Sequence, residues 1–194
     1  MPTINGRACV VNGAPVDKVF SNGKQVYGRN LLVNTSSSAT NGQTMVKGAS
    51  TQIFGVYSRT DSYEQVIADS MHNEFFYRFM GPDTNNLYGL TPGETYTLSG
   101  SASHTIGELQ FRWGYGTNSS SWHEYLSDLG IPVSDGSVFT PFSYTFTVPA
   151  GATGVYISLQ NYDYTDGSLF RFKNMKLEKG SKATPWTPAP EDAI

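Results

Sequence analysis

Three short stretches carry side chains that could do recognition chemistry. Gln110 and Arg112 alternate with Leu109, Phe111 and Trp113. Tyr156, Ser158 and Gln160 alternate with Val155, Ile157 and Leu159, and Arg78 stands among Phe75, Tyr77 and Phe79. Where each apolar set faces a core, period-two alternation puts Arg, Gln and Tyr together on the opposite side of a sheet. Planar polar groups beside flat rings suit neutral sugars, because rings stack on C–H-rich pyranose faces while Arg and Gln read hydroxyls. Aromatic loop segments flank the same stretches: Trp113-Gly114-Tyr115-Gly116, Trp122-His123-Glu124-Tyr125 and Tyr162-Asp163-Tyr164. The expected sugar-reading set is therefore Arg78, Gln110, Arg112, Tyr115, Trp122, Tyr156, Gln160 and Tyr162. Trp113 is expected in the core, and Trp186, between prolines, over an apolar patch.

Catalytic patterns are poor by comparison. There is no Gly-x-Ser-x-Gly elbow, no phosphate-cradling glycine loop and no cysteine pair. His72, His104 and His123 are scattered without zinc spacing, and His72-Asn73-Glu74 lacks the partner cysteines of a deaminase. A glycosidase needs two carboxylates facing across a cleft. Glu64, Glu74, Glu108, Glu124 and Asp128 qualify by residue type alone. No enzyme is expected.

The elements that must position these groups are short strands. Thr95–Ala102, Glu108–Tyr115, Ser143–Val148, Val155–Gln160 and Ser168–Leu177 alternate, and Gln52–Tyr57 and Glu74–Met80 are rich in β-branched or aromatic residues. In the last strand Phe170 and Phe172 are out of step with Met175 and Leu177, which predicts a β-bulge near Asn174. Two short helices are expected: one after the capping-box spacing at Ser121–Glu124, running to Gly130, and one within Asp61–Met71. Eight or so strands separated by Gly, Pro and Asn-Gly turns predict an all-β fold, a jelly-roll sandwich of two antiparallel sheets. Residues 1–29, with Asn-Gly at 5–6, 12–13 and 22–23, read as a small β-hairpin joint, 30–180 as the sandwich, and 181–194, with three prolines, as a linker.

Composition agrees. The 194 residues carry 13 Lys plus Arg against 16 Asp plus Glu, a net charge of −3 that disfavours nucleic acid as partner. Charged residues make up 15% and aromatics 13%, a β-rich balance with a weak surface field. No apolar run is long enough to cross a membrane, so no insertion is expected. The single Cys9, in an apolar run, reads as a buried structural thiol.

Two segments carry a family resemblance. Val19-Phe20-Ser21-Asn22-Gly23-Lys24-Gln25-Val26-Tyr27-Gly28-Arg29-Asn30-Leu31-Leu32 resembles the joint before accessory modules in tail proteins of siphophages infecting lactic acid bacteria. Met175-Lys176-Leu177-Glu178-Lys179-Gly180-Ser181-Lys182-Ala183-Thr184-Pro185-Trp186-Thr187-Pro188 resembles the end of carbohydrate-binding modules in those proteins. Between them, Leu90–Ser99 and Phe146–Ala152 are similar to jelly-roll sugar-binding modules generally. The resemblance implies a non-catalytic carbohydrate-binding module of an evolved distal tail protein in a virion baseplate, with host cell-wall polysaccharide and other tail proteins as partners. The alternative readings are a structural domain that decorates the tail or packs subunits without binding sugar and, behind it, a glycan hydrolase. Many such jelly rolls hold a structural calcium with an Asp late in the last strand, where this chain has Asn174. Asp163 and Asp166 could offer oxygens, but their loop lacks the ligand count of an EF-hand. No cofactor or metal is expected.

Overall fold

The computed structural model describes residues 9–36, 42–117, 121–162 and 164–193. Sixteen strands run in chain order through these residues: β1 (Val10–Val11), β2 (Ala14–Pro15), β3 (Lys18–Ser21), β4 (Lys24–Gly28), β5 (Leu32–Val33), β6 (Met45–Val46), β7 (Gln52–Phe54), β8 (Val56–Arg59), β9 (Glu64–Ile67), β10 (Phe76–Arg78), β11 (Thr95–His104), β12 (Leu109–Thr117), β13 (Ser121–Asp128), β14 (Thr140–Thr147), β15 (Gly154–Asn161) and β16 (Leu169–Lys179). Ten of them form two five-stranded antiparallel sheets, ordered β13-β12-β15-β10-β7 and β14-β11-β16-β9-β8. From β11 onward the chain passes back and forth between the sheets, pausing only for the β12–β13 hairpin within the first, as in a jelly roll.

The inner faces meet in one apolar core. Leu109, Phe111 and Trp113 of β12 and Val155, Ile157 and Leu159 of β15 pack against Leu98, Phe146, Phe170, Phe172 and Leu177 of the second sheet. The alternation thus sorts the faces as the sequence predicts. The bulge is also present: Ser99 pairs with Lys176 but Ser101 with Lys173, and Asn174 takes the left-handed φ of 53°.

Three expectations need correction. Ser121–Asp128 is a strand, not a helix, because its backbone completes a ladder with β12, from Gly116 opposite Trp122 to Gln110 opposite Asp128. Within Asp61–Met71 the regular element is strand β9, paired with β8 and β16. Gln52–Tyr57 is two strands in different sheets, parted at Gly55. There φ is 124°, and a Cβ would stand 2.7 Å from the Ile67 carbonyl oxygen, so only glycine turns that corner unstrained.

The N-terminal segment holds the hairpins β1–β2 and β3–β4, whose Asn12-Gly13 and Asn22-Gly23 turns have positive φ at both residues. Cys9 is half-buried rather than buried, and Val10 and Val11 are exposed, since a two-stranded ribbon has no second layer to cover it. The Pro-rich tail does not extend away from the fold: Thr184, Thr187 and Ala189 are buried. Asn30 explains the docking. Its Nδ2 donates to the Met175 and Thr187 carbonyls at 3.0 and 3.1 Å, while Oδ1 accepts from the Leu32 and Leu177 amides. One buried side chain thereby joins the N-terminal segment, the last strand and the tail. Among the described residues no helix is long and apolar enough to cross a membrane.

Candidate functional site

The outer face of the first sheet collects the expected residues in rows across its strands. Gly114 lies opposite Tyr156 and Glu124; Arg112 opposite Ser158 and Leu126; Gln110 opposite Gln160 and Asp128. Arg78 lies beside Ser158 and Gln52, and Phe76 beside Gln160 and Phe54. This register brings six of the eight predicted residues to one face: Arg78, Gln110, Arg112, Trp122, Tyr156 and Gln160. Tyr115 is on the other side, in step with Trp113 toward the core, where its ring stacks on His123 at 4.8 Å. Its place in a Gly-x-Gly segment suggested a loop, and the strand parity of β12 overrides that. Tyr162 lies just past β15 and is 51% exposed.

Burial divides the six. Tyr156, Gln160 and Arg78 are only 1, 2 and 8% exposed, so they form the floor of the face and do not read a ligand's outer hydroxyls directly. The Tyr156 ring lies over Gly114, where a Cβ would come within 2.6 Å of it. The Arg78 guanidinium sits 4.5 Å from the Phe76 ring centre and 4.7 Å from that of Tyr156, a cation held between two π faces. It also donates to Gln52 Oε1. Burial lowers its pKa, with Arg112 adding repulsion and Tyr156 opposing both.

Arg112 organises the rim. Its Nη2 donates to Glu124 Oε2 at 2.7 Å and its Nη1 to Gln160 Oε1 at 2.9 Å, with Glu74 Oε1 at 3.5 Å. Tyr156 donates its hydroxyl to the other Glu124 oxygen at 2.6 Å. Burial alone would lower the Arg112 pKa, but the Glu124 hydrogen bond and charge outweigh it and the group is raised. Glu124 responds in kind: burial would raise it, yet Tyr156 and Arg112 hold it below the ordinary carboxylate value. Tyr156 is raised by burial and by that carboxylate. The result is a fixed, charge-assisted lattice at the surface. Beside it stand half-buried Trp122, edge-on to Tyr156 at 5.1 Å, and Leu126, 42% exposed.

The sequence missed Glu124 as an organiser, and Phe54, Phe76 and Gln52 as floor. Glu124 was hidden by the helical expectation for 121–130; on a strand, its parity with Trp122 identifies it. His104 is buried between the Ile106 and Ile131 carbonyls, and His72 pairs with Asp69 at 2.7 Å. Asp163, one of the two loop acids considered for a cation, lies outside the described residues. Among those described, no cluster of three His, Cys, Asp or Glu side chains is placed to hold a metal.

No protein-family model matches the sequence, and no curated protein matches it significantly. Solved structures do resemble it. The CBM22-1 xylan-binding domain of Paenibacillus barcinonensis Xyn10C is 11% identical, with 80% of this chain and 94% of that one covered at a TM-score of 0.50. A family 16 carbohydrate-binding module is 14% identical over 76% of this chain and 99% of its own, at 0.46. The tripod from the baseplate of bacteriophage Tuc2009 is 23% identical over 86% of this chain and 61% of its own, at 0.46. At these identities the likeness is one of fold, a jelly-roll β-sandwich of the kind carbohydrate-binding modules use.

Proposed function

We propose that this chain is a non-catalytic carbohydrate-binding module of a phage tail protein, which holds the virion to host cell-wall polysaccharide. Sugar contact is made at the rim of the first sheet's outer face, by Trp122, Arg112, Gln110 and Tyr162, over the floor of Tyr156, Gln160 and Arg78. The observation that carries it is Arg112 locked between Glu124 and Gln160 beside the partly exposed Trp122 ring. Donors fixed in advance lose little freedom on meeting hydroxyls. The xylan-binding function named for the CBM22-1 domain, which shares the fold, supports the same class of ligand. The tail context rests on the resemblance of the 19–32 and 175–188 segments.

Hydrolysis is disfavoured by the same geometry. Glu74 and Glu124 both approach Arg112, but a glycosidase acid must hold its proton near neutrality, and Glu124 is pushed the other way. A wet, shallow face gives weak affinity per site, so adhesion comes from many tethered copies on a tail tip. A separate observation favours docking to other tail proteins at the N-terminal hairpins, where Val10, Val11, Phe20 and Val26 are exposed.

The test is binding of a fluorescent-protein fusion to intact host-type cells, with solubilised cell-wall polysaccharide as competitor. Competed binding that a Trp122→Ala, Arg112→Ala double variant loses supports the proposal. Absence of binding by a multivalent fusion across several host strains rejects it.

A further inference from the structure

The second sheet bears a cleft of its own, about 330 Å³ in volume, at the end where the bulge interrupts β16. Buried Glu64 of β9 and Arg59 of β8, 3.5 Å apart, both line it. The turn carrying Asp61 and Tyr63 forms one wall, and Asn174 and the tail residue Trp186 contribute others. We infer that this cleft is a second binding site, separate from the outer face of the first sheet, for a small neutral ligand rich in hydroxyls, such as one or two sugar rings.

Electrostatics favours a neutral ligand over an ion. The Glu64 carboxylate is well partnered by the protein: it accepts from the Thr44 amide and hydroxyl and from the Tyr57 hydroxyl at 2.9 Å, with Arg59 Nη1 at 3.5 Å and, at 3.3 Å, the Tyr77 hydroxyl, whose shorter bond is to the Thr44 carbonyl. Arg59 is committed as well, donating to the Gly42 and Ser36 carbonyls at 2.6 and 2.7 Å. The remaining pair of opposite charges is Lys173, whose ammonium lies 4.0 Å from the Phe139 ring centre, and exposed Asp61. Two cations and two carboxylates give the described lining no net charge. A metal ion would have to strip Glu64 of its donors, and an anion at Arg59 would compete with the Gly42 and Ser36 carbonyls and face the Glu64 and Asp61 carboxylates. A neutral polyol has neither requirement.

The surfaces that remain suit such a ligand. Trp186 and Tyr63 are half-buried aromatics, and Asn174 presents an exposed carboxamide, a donor and an acceptor on one planar group. The bulge that puts Asn174 in the left-handed region also lifts it out of the ladder with β11. At about 330 Å³ the cleft falls at the small end of ligand sites, which run from about 300 to 1,000 Å³.

This inference stands apart from the proposal for the first face, and the three tryptophans separate the two. Trp113 is core, Trp122 belongs to the first face and Trp186 to the cleft. In ¹⁵N-labelled protein the three indole N–H resonances, assigned through Trp→Phe variants, are followed while maltose, cellobiose, lactose or chitobiose is added. Calcium chloride and sodium glucuronate serve as ionic probes. The expected result is a saturable shift of the Trp186 indole and the Asn174 carboxamide with at least one disaccharide, at millimolar affinity. Asn174→Gly keeps the left-handed backbone and should weaken that shift about fivefold, a loss of about 1 kcal/mol. A shift at Trp122 alone overturns the cleft while supporting the first face, and a shift at Trp186 alone does the reverse for that face. No Trp186 response at about 50 mM of any sugar, or a response to the ionic probes only, also overturns it.

Discussion

The outer faces of the two sheets both carry charged groups, and the chain disposes of them in opposite ways. On β16, Lys176 and Glu178 are fully buried because the tail lies over them. Lys176 donates to Thr184 Oγ1 at 2.7 Å and to the Pro185 carbonyl at 2.9 Å, while Glu178 accepts from the Thr184 amide and hydroxyl, each at 2.8 Å. On β12 and β13, Arg112 and Glu124 make a tighter ion pair, 2.7 Å against 3.8 Å, yet keep contact with water. A charge is worth burying only when every partner it needs is in place. The tail supplies those partners on one face, so that network holds the fold together. Nothing in the described chain lies over the Arg112 rim in the same way, and the Glu124 carboxylate there stays 38% exposed.

Removing Glu178 should produce the largest effect. Glu178→Ala leaves the Lys176 ammonium buried without a carboxylate and orphans the Thr184 amide, so about 3–5 kcal/mol of stability should disappear in urea unfolding. A loss below about 1 kcal/mol would mean that the tail is only loosely applied, and would erase the contrast between the faces.

The same cluster predicts a pH signature. Burial pushes the Lys176 pKa down from 10.5 to about 8, with Glu178 partly opposing the shift. Below about 8 the group is protonated in both folded and unfolded chains. Between about 8 and 10.5 the unfolded chain binds the proton that the folded chain has released, so stability rises with pH across that window, by up to about 3 kcal/mol. Comparing wild type with Lys176→Met isolates this slope, which the variant should lack. Equal slopes would show that the ammonium is hydrated in the folded protein.

On the other face the effects should move from stability to binding. Trp122→Ala removes a half-buried ring that touches Tyr156 edge-on. Polysaccharide binding should fall at least about tenfold, with a smaller loss of stability, about 1–2 kcal/mol. A variant that unfolds readily but binds fully while folded would make Trp122 a piece of structure like Lys176.

How far the two faces could be foreseen differs for physical reasons. Alternation is local, so the inward set of Leu109, Phe111 and Trp113 and the outward set of Gln110 and Arg112 were legible from spacing, as was the bulge at Asn174 from the phase slip of Phe172 and Met175. Ser121–Asp128 was misread because capping-box spacing is a four-residue coincidence, whereas its true partner, β12, is fixed only by tertiary pairing. That error concealed Glu124. Burial was not legible either: Tyr156 points outward as parity requires, yet Arg78, Arg112 and Trp122 close over it. The tail read as a linker because its prolines are local signals, while the groups that hold it, Asn30 and Glu178, lie far off in sequence.

The smallest expected effect is also the one that sets the faces most directly against each other. Glu124→Gln and Glu178→Gln are the same substitution, each keeping shape and removing charge. At Glu124 the carboxylate is 38% exposed, so water replaces much of what Arg112 loses, and stability should change by less than about 1 kcal/mol. What changes is the fixing of Arg112 and of the Tyr156 hydroxyl, both of which donate to that carboxylate. A few-fold loss of polysaccharide affinity is expected, about 0.5–1 kcal/mol. Because Arg112 and Tyr156 hold Glu124 below the ordinary carboxylate pKa, acid should mimic the variant only once pH falls below the usual carboxylate range. At Glu178 the same change should cost stability and leave the affinity of the folded fraction untouched. Were Glu124→Gln to destabilise the fold as much as Glu178→Gln while binding stayed intact, the Arg112 lattice would be a second structural staple, and the sugar contacts would have to lie elsewhere.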